Sequence, residues 1–423
     1  MKIENRKLMI VTLMVLCCQT ILPAMIDGVT GTAFNLTVRE DYISTPDGGS
    51  WYMWGYALNN QRMQYPGPTL IVNQGDTVTV TLQNGLASPY NTMPVSIVFP
   101  GQSGVTSAGG SAGLLTREAL PGQTVTYTFT ASQPGTYVYH SGTRPDLQIE
   151  MGMVGAIIVR PAGSGHMMST AYESMDSMYD HEYLFLTTEI DPIVHQQVEV
   201  GDIDAVDMAK WFPVYWFING RCAPDTMDAP NIAWLPTQPY NCMPMMHPGD
   251  RLLGRYIQAG RDPHPFHTHG NNFTVIARDG RLLKSQGGMG ADLAYSNFTL
   301  FVPPGGTSDF IFEWTGKALG WDIYGHAPGD PMEPHEYAPD HGKPFPVALP
   351  PQQFLTNGAM WSGSPFLGTM GSLPPGEGGL NPTSGYSYMW HSHNEKEMTN
   401  YDIFPGGLMT MLMIEPPSAP IQH

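Results

Sequence analysis

Six of the 14 histidines fall in three short strings: His140, then His264-Pro-Phe-His267-Thr-His269, then His391-Ser-His393. Residues two apart on a β-strand point to the same face, so His267 with His269, and His391 with His393, can each present two imidazoles side by side. Imidazole suits copper, zinc, iron and nickel, and a set of histidines without thiolate favours Cu(II) or zinc. Two His-X-His pairs in one chain read as a metal site rather than as chance. Isolated histidines such as His166 and His195 read as surface or core residues. A second group, His326, Asp330, Glu333, His335, Glu336, Asp340 and His341, mixes imidazole with carboxylate, a set that divalent ions accept. It lies in a Pro-rich stretch, where ligands are seldom preorganised, so a solvated acidic loop is the preferred reading there. Methionine, at 27 residues, offers thioethers that select Cu(I). Met409, Met411 and Met413 are better explained as core filler.

The elements that must position these groups read as strands. Of 423 residues, 47 are Gly and 39 are Pro, a load that suits a turn-rich β protein and argues against a helical bundle. In Thr77-Val-Thr-Val-Thr-Leu-Gln, a period of two puts Val78, Val80 and Leu82 on one face. Further strands are expected at 33–40, 69–73, 95–99, 124–130, 136–140 and 154–160. The pattern then restarts at 183–190, 214–219, 250–258, 272–279, 298–302, 307–314, 385–391 and 407–415. The expected fold is all-β: two Greek-key β-sandwich domains, 29–162 and 183–423, joined by a loose linker, 163–182. A long Pro/Gly-rich insertion, 327–384, interrupts the second.

Residues 1–28 read as a secretory signal peptide, with Lys2, Arg6 and Lys7 ahead of a short apolar run. The expected location is therefore outside the cytoplasm, whether periplasm, cell surface or medium, with no membrane span once the signal is removed. The formal net charge of -18 argues against nucleic acid as a partner. The two remaining cysteines, Cys222 and Cys242, are expected to form a disulfide in an exported chain. No phosphate-binding glycine loop, hydrolase nucleophile elbow or dinucleotide fingerprint is visible.

Several strings together resemble the multicopper oxidase family of cupredoxin domains: Pro66-Gly-Pro-Thr-Leu with Gly75-Asp76, Gly135-Thr-Tyr-Val-Tyr-His-Ser141, His264-Pro-Phe-His-Thr-His-Gly270, Val302-Pro-Pro-Gly-Gly306 and His391-Ser-His393. The two-domain count is similar to that of small laccases and copper nitrite reductases, which assemble as trimers. The resemblance implies copper ligands at His140, His267, His269, His391 and His393, with His264 in the slot of a mononuclear copper ligand. It also exposes departures. Where the family's first domain carries a His-X-His-Gly string, the chain reads Val98-Phe-Pro-Gly101, and Gly142 stands where a second His would follow His140. The thiolate of the blue copper centre is replaced by Ser392, the equivalent position in the first domain is Ser141, and Glu397 stands where a further His is expected.

The resulting expectation is an exported oxidoreductase using a His-only copper site between the domains, without a blue copper, as a homotrimer acting on a small molecule or metal ion with O2 as a candidate co-substrate. The alternative is a non-catalytic copper-binding, storage or surface structural protein on the same scaffold. A further alternative keeps the scaffold and holds zinc through His267, His269, His391 and His393.

Overall fold

The computed structural model describes residues 26–90, 92–162, 169–344, 356–357, 360–361, 386–415, 417 and 419–421. Residues 1–25 of the expected signal segment and most of the 345–385 stretch lie outside them.

The chain is all-β, as expected. Alternation in Thr77–Asn84 buries Val78, Val80 and Leu82. That strand pairs in parallel with Ala33–Ser44 and antiparallel with Thr124–Thr130, inside a six-stranded sheet. A four-stranded sheet containing Leu70–Asn73, Val154–Arg160 and Gly135–His140 faces it, across a core that includes Trp54, Tyr56, Val80, Tyr127, Tyr139 and Ile157. Non-consecutive strands lie side by side in both sheets, as in a Greek key. The second half repeats the plan. A seven-stranded sheet, with His181–Ile190, Arg251–Gln258 and Thr307–Glu313 adjacent in it, packs against a five-stranded one. The latter runs Met245–Met246, Met409–Ile414, Tyr386–Ser392, Pro265–Thr268, Thr299–Phe301. Phe185, Phe266, Phe310 and Trp390 fill the space between.

Local departures from the expected elements have local causes. Val95–Phe99 forms two isolated bridges, Val95 to Ala119 and Val98 to His140, in place of a ladder. Ser50–Leu58, whose residues do not alternate in polarity, is a nine-residue strand paired with Ala33–Ser44. Within the expected linker, Ser169–Thr170 pairs with Met178–Tyr179, because Tyr172 and Tyr179 are buried against the second half. An unexpected helix, Pro192–Glu199, starts at Asp191, whose side chain accepts from Ile193 N at 2.9 Å, with Pro192 in the first turn. The helix delivers Val194 and Val198 to the first-half core.

The expected disulfide is absent. Cys222 and Cys242 are buried free thiols in separate clusters, Cys222 with Tyr215 and Phe217 and Cys242 with Trp216 and Ile218. Cys242 Sγ lies 3.4 Å from Thr226 O, and burial pushes its pKa up to about 12. Both are structural thiols that stay protonated. Among the described residues no helix is long and apolar enough to cross a membrane.

The two halves are joined by an apolar layer and a buried ion cluster. Ile71, Val138, Val154 and Ile158 meet Leu184, Leu186 and Ile257. Beside them the fully buried Arg255 contacts Glu182 at 3.0 Å and Asp309 at 3.5 Å, and donates to Thr136 Oγ1 of the first half at 3.1 Å. Arg160, also from the first half, pairs with the same Glu182. Removing one partner leaves a buried charge uncompensated, which costs about 3–5 kcal/mol. Arg255→Ala should therefore lose that much stability in chemical denaturation; a loss under about 1 kcal/mol would show that the ion cluster does not hold the halves together.

Candidate metal centre

The Pro265–Thr268 strand lies between Thr299–Phe301 and Tyr386–Ser392. Its register places His267 opposite Thr299 on one side and His391 on the other. Directly opposed residues share a face, so one row across the sheet reads Thr299, His267, His391, Met409. Phe266 and Trp390 point the other way, into the core, and are fully buried. His269 and His393 follow just beyond the ends of the two strands and carry their rings to the same place.

Four imidazoles converge as a result. The His267 ring lies 5.0 Å from that of His269, 5.5 Å from His391 and 4.9 Å from His393, centroid to centroid. His269 Nε2 and His391 Nε2 are 3.2 Å apart. His267 Nδ1 is 2.8 Å from Thr299 Oγ1, and His391 Nδ1 is 2.7 Å from Ser392 O. Those partners occupy one ring nitrogen on each residue and leave Nε2 for a metal, the usual outer support of a ligating histidine. His391 is buried, His267 half-buried, and His269 and His393 exposed, so the group opens to solvent on one side.

Three of the rings are biased toward the neutral form. Burial, and then the nearby His269, His267 and His393, push the pKa of His391 down to about 4 against the opposing hydrogen bond to Ser392 O. Burial and neighbouring histidines lower His267 and His269 too. Neutral imidazole is the metal-binding form. The donor set, with free Nε2 atoms on supported rings and no thiolate, fits Cu(II) and also fits zinc.

His140 ends the Gly135–His140 strand, its Nδ1 2.9 Å from Ser141 O. Among the described residues no hydrogen bond or ring contact joins it to the four. The position where a second imidazole would follow it is closed: a Cβ at Gly142 would sit 2.8 Å from Val98 Cγ1 and 3.2 Å from Ser96 Oγ.

His264 has another role than the one expected for it. It is fully buried, with Nε2 2.9 Å from Glu189 Oε2 and Nδ1 2.9 Å from Glu397 Oε2. Both ring nitrogens are occupied by carboxylates, so none remains for a metal. Burial alone would lower its pKa, but hydrogen bonds and charge from Glu189 and Glu397 outweigh it and raise the value to about 9. Ser392 Oγ donates to Glu397 Oε2 at 2.5 Å, and Asn394 Nδ2 to Glu397 Oε1 at 2.8 Å. Ser141 is likewise buried in a closed set, donating to Gln148 Oε1 at 2.6 Å while Gln148 Nε2 donates to Pro94 O at 3.0 Å.

Thr299, Glu189 and Gln148 were not singled out from the sequence. Nothing in the strand pattern marked Glu189, and only the register identifies Thr299. The methionines read as core filler are that: Met409, Met411 and Met413 are buried with Met245.

Residues 38–164 match a family model described as multicopper oxidase. Among curated proteins, the chain is 39% identical over 123 residues to a copper-containing nitrite reductase of Neisseria meningitidis, covering 29% of this chain and 28% of that protein. It is 40% identical over 100 residues to an L-ascorbate oxidase of Cucurbita maxima, covering 23% and 16%. The matches thus span about a quarter or less of these relatives. Solved structures share the fold over much more of the chain. A blue copper oxidase from Nitrosomonas europaea aligns at TM-score 0.55 and 20% identity, covering 90% of this chain and 85% of that one. A copper nitrite reductase from the same organism aligns at TM-score 0.52 and 16% identity, covering 93% and 98%. The family match therefore lies in the first half, the fold is shared with these copper enzymes over about nine tenths of the chain, and the four converging histidines lie in the second half.

A buried imidazolium with a raised pKa stabilises the fold below its unfolded value of 6.5, and that stability is lost as pH rises through about 9. Chemical denaturation should show wild type losing about 3 kcal/mol between these limits relative to His264→Gln. Parallel pH profiles for the two would show that His264 is not held as a cation.

Proposed function

We propose that this chain is an exported, copper-dependent oxidoreductase whose metal is held by histidines, His267, His269, His391 and His393 from one copy of the chain, without a thiolate-bound blue copper. The observation that carries the reading is the convergence of four imidazoles, with Nδ1 of His267 and His391 held by Thr299 and the Ser392 backbone and the Nε2 atoms of His269 and His391 3.2 Å apart. The multicopper oxidase match and the copper enzymes among its relatives support copper over zinc. Copper held there would supply one-electron redox chemistry to a small molecule or metal ion reaching it from the solvent side, with O2 or nitrite as the electron acceptor to test. The protein's own part is to bias His267, His269 and His391 toward the neutral form, orient His267 through Thr299 and His391 through its backbone contact, and leave the exposed side open. His140 would join the site from a second copy of the chain, in a homotrimer of the kind the resemblance implies.

The second reading, a copper-binding or storage protein without turnover, is favoured by the replacement of both thiolate positions by serine. Copper-loaded protein should consume O2 or nitrite in the presence of a reduced donor and lose this on copper removal. His267→Ala and His391→Ala should lower the rate at least 100-fold while the fold is retained. Thr299→Val, which removes the oxygen facing His267 Nδ1, should weaken copper binding 10- to 100-fold. Tight copper binding with no turnover toward any donor would favour storage, and full activity in both His variants would overturn the assignment.

A further inference from the structure

The stretch following the Thr307–Glu313 strand is held to the protein by Trp314, Trp321 and Ile323, all buried. Asp322 sits between the last two, its side chain 1% exposed. Its Oδ1 accepts from Tyr324 N at 2.9 Å and its Oδ2 from Gly342 N at 2.7 Å, and its own N–H donates to Lys343 O at 3.0 Å. One residue therefore ties together the two ends of a loop whose only described regular element is a three-residue turn, Ala338–Asp340.

The loop brings three of the seven sequence candidates back to Asp322. His326 Nδ1 lies 3.5 Å from Asp322 Oδ2 and 3.2 Å from Glu336 Oε2. His341 Nδ1 lies 3.8 Å from the same Asp322 oxygen and 2.6 Å from Glu336 Oε1. Of the other four, Asp330 accepts from Ala327 N at 2.8 Å, Asp340 accepts from Gly320 N at 3.0 Å and pairs with Lys343, and Glu333 and His335 are exposed. The reading of a solvated acidic loop holds for Asp330, Glu333 and His335, which are exposed, but not for Glu336, whose side chain is only 2% exposed, or for the two imidazoles, at 17%.

Two nitrogens and two carboxylate oxygens all lie within 4.8 Å of one another. Ligands about 2.0–2.2 Å from a tetrahedral zinc ion are about 3.3–3.5 Å apart. Three of the four separations above are close to that edge, and the fourth, the 2.6 Å contact, is a hydrogen bond that a metal would replace. The Tyr324 ring stacks on His326 at 5.9 Å and 8°, which fixes the imidazole with Nδ1 facing the carboxylates. A divalent ion bound there would displace the hydrogen bond between His341 and Glu336 and offset the charge of the two nearly buried carboxylates.

We propose that Asp322, His326, Glu336 and His341 form a second metal site, for a divalent ion of the zinc class, that cross-links this loop. Mixed nitrogen and oxygen donors select a borderline ion over calcium or magnesium, which take oxygen, and over Cu(I), which takes thioether or thiolate. The site is independent of the four-histidine centre, which a His267→Ala/His391→Ala background removes, and loss of bound Co2+ specific to the loop variants separates it from the remaining group of His181, His247 and Asp250. In that full-length background, stripped of metal, Co2+ should bind with the visible spectrum of a tetrahedral site, and zinc should displace it. Adding His326→Asn and His341→Asn should remove one equivalent of Co2+ and abolish the spectrum. Glu336→Gln, which keeps the shape of the side chain, should weaken binding at least tenfold and provides the readout should the double change unfold the loop. Absence of tetrahedral Co2+ in the background protein, or unchanged stoichiometry and affinity in the folded variants, would overturn the proposal, and neither result bears on the copper centre.

Discussion

Antiparallel pairing of Pro265–Thr268 with Tyr386–Ser392 sets His267 opposite His391, and side chains alternate across a sheet, so a slip of one residue would turn both imidazoles to the opposite face. The register is held from the core side. Phe266 and Trp390, on the face away from the histidines, are fully buried with rings 6.3 Å apart and perpendicular. Moving them outward would expose two large aromatic surfaces, each worth several kcal/mol of burial by the usual ~25 cal/mol per Å². Core packing thereby specifies the metal centre. The same alternation sends Ser392, lying between His391 and His393, inward toward Glu397, while its two neighbours reach the histidine cluster.

That inward position is where the family resemblance would place a thiolate. Here it is a hydroxyl hydrogen-bonded to Glu397, and the chain Ser392, Glu397, His264, Glu189 continues to the backbone N–H groups of Arg261 and Asp262. A buried imidazolium between two carboxylates is charge-compensated and rigid, and it fastens His264, three residues before His267, to the opposite sheet through Glu189. The slot has thus become a brace for the strand that carries the histidines. Ser141 and Gln148 close the corresponding position in the first half with neutral hydrogen bonds. In both halves these positions close in a polar network that satisfies the buried groups.

The parts legible from the sequence were those governed by periodicity and short spacing. Alternation located Thr77–Asn84 and most other strands, and the two His-X-His strings located the centre. Less legible were features set by distant partners. Ser50–Leu58 lacks alternation because most of its residues from Met53 to Ala57 are buried on both faces. His264 matched a ligand by string, but its partners Glu189 and Glu397 lie 75 and 133 residues away, and they convert it into a cation. Asp322 was missed because only folding returns the loop to it. Cys222 and Cys242 looked like a bridge by count, yet each packs in its own apolar cluster.

The central claim is a copper centre built from histidine alone, and the visible and EPR spectra of the copper-loaded full chain test it most directly. The account predicts an ordinary type 2 EPR signal and no intense blue absorption, because Ser392 and Ser141 supply no thiolate and His264 has no nitrogen to offer. An intense blue band with a narrow copper hyperfine splitting, or failure to retain any copper after dialysis, would contradict it.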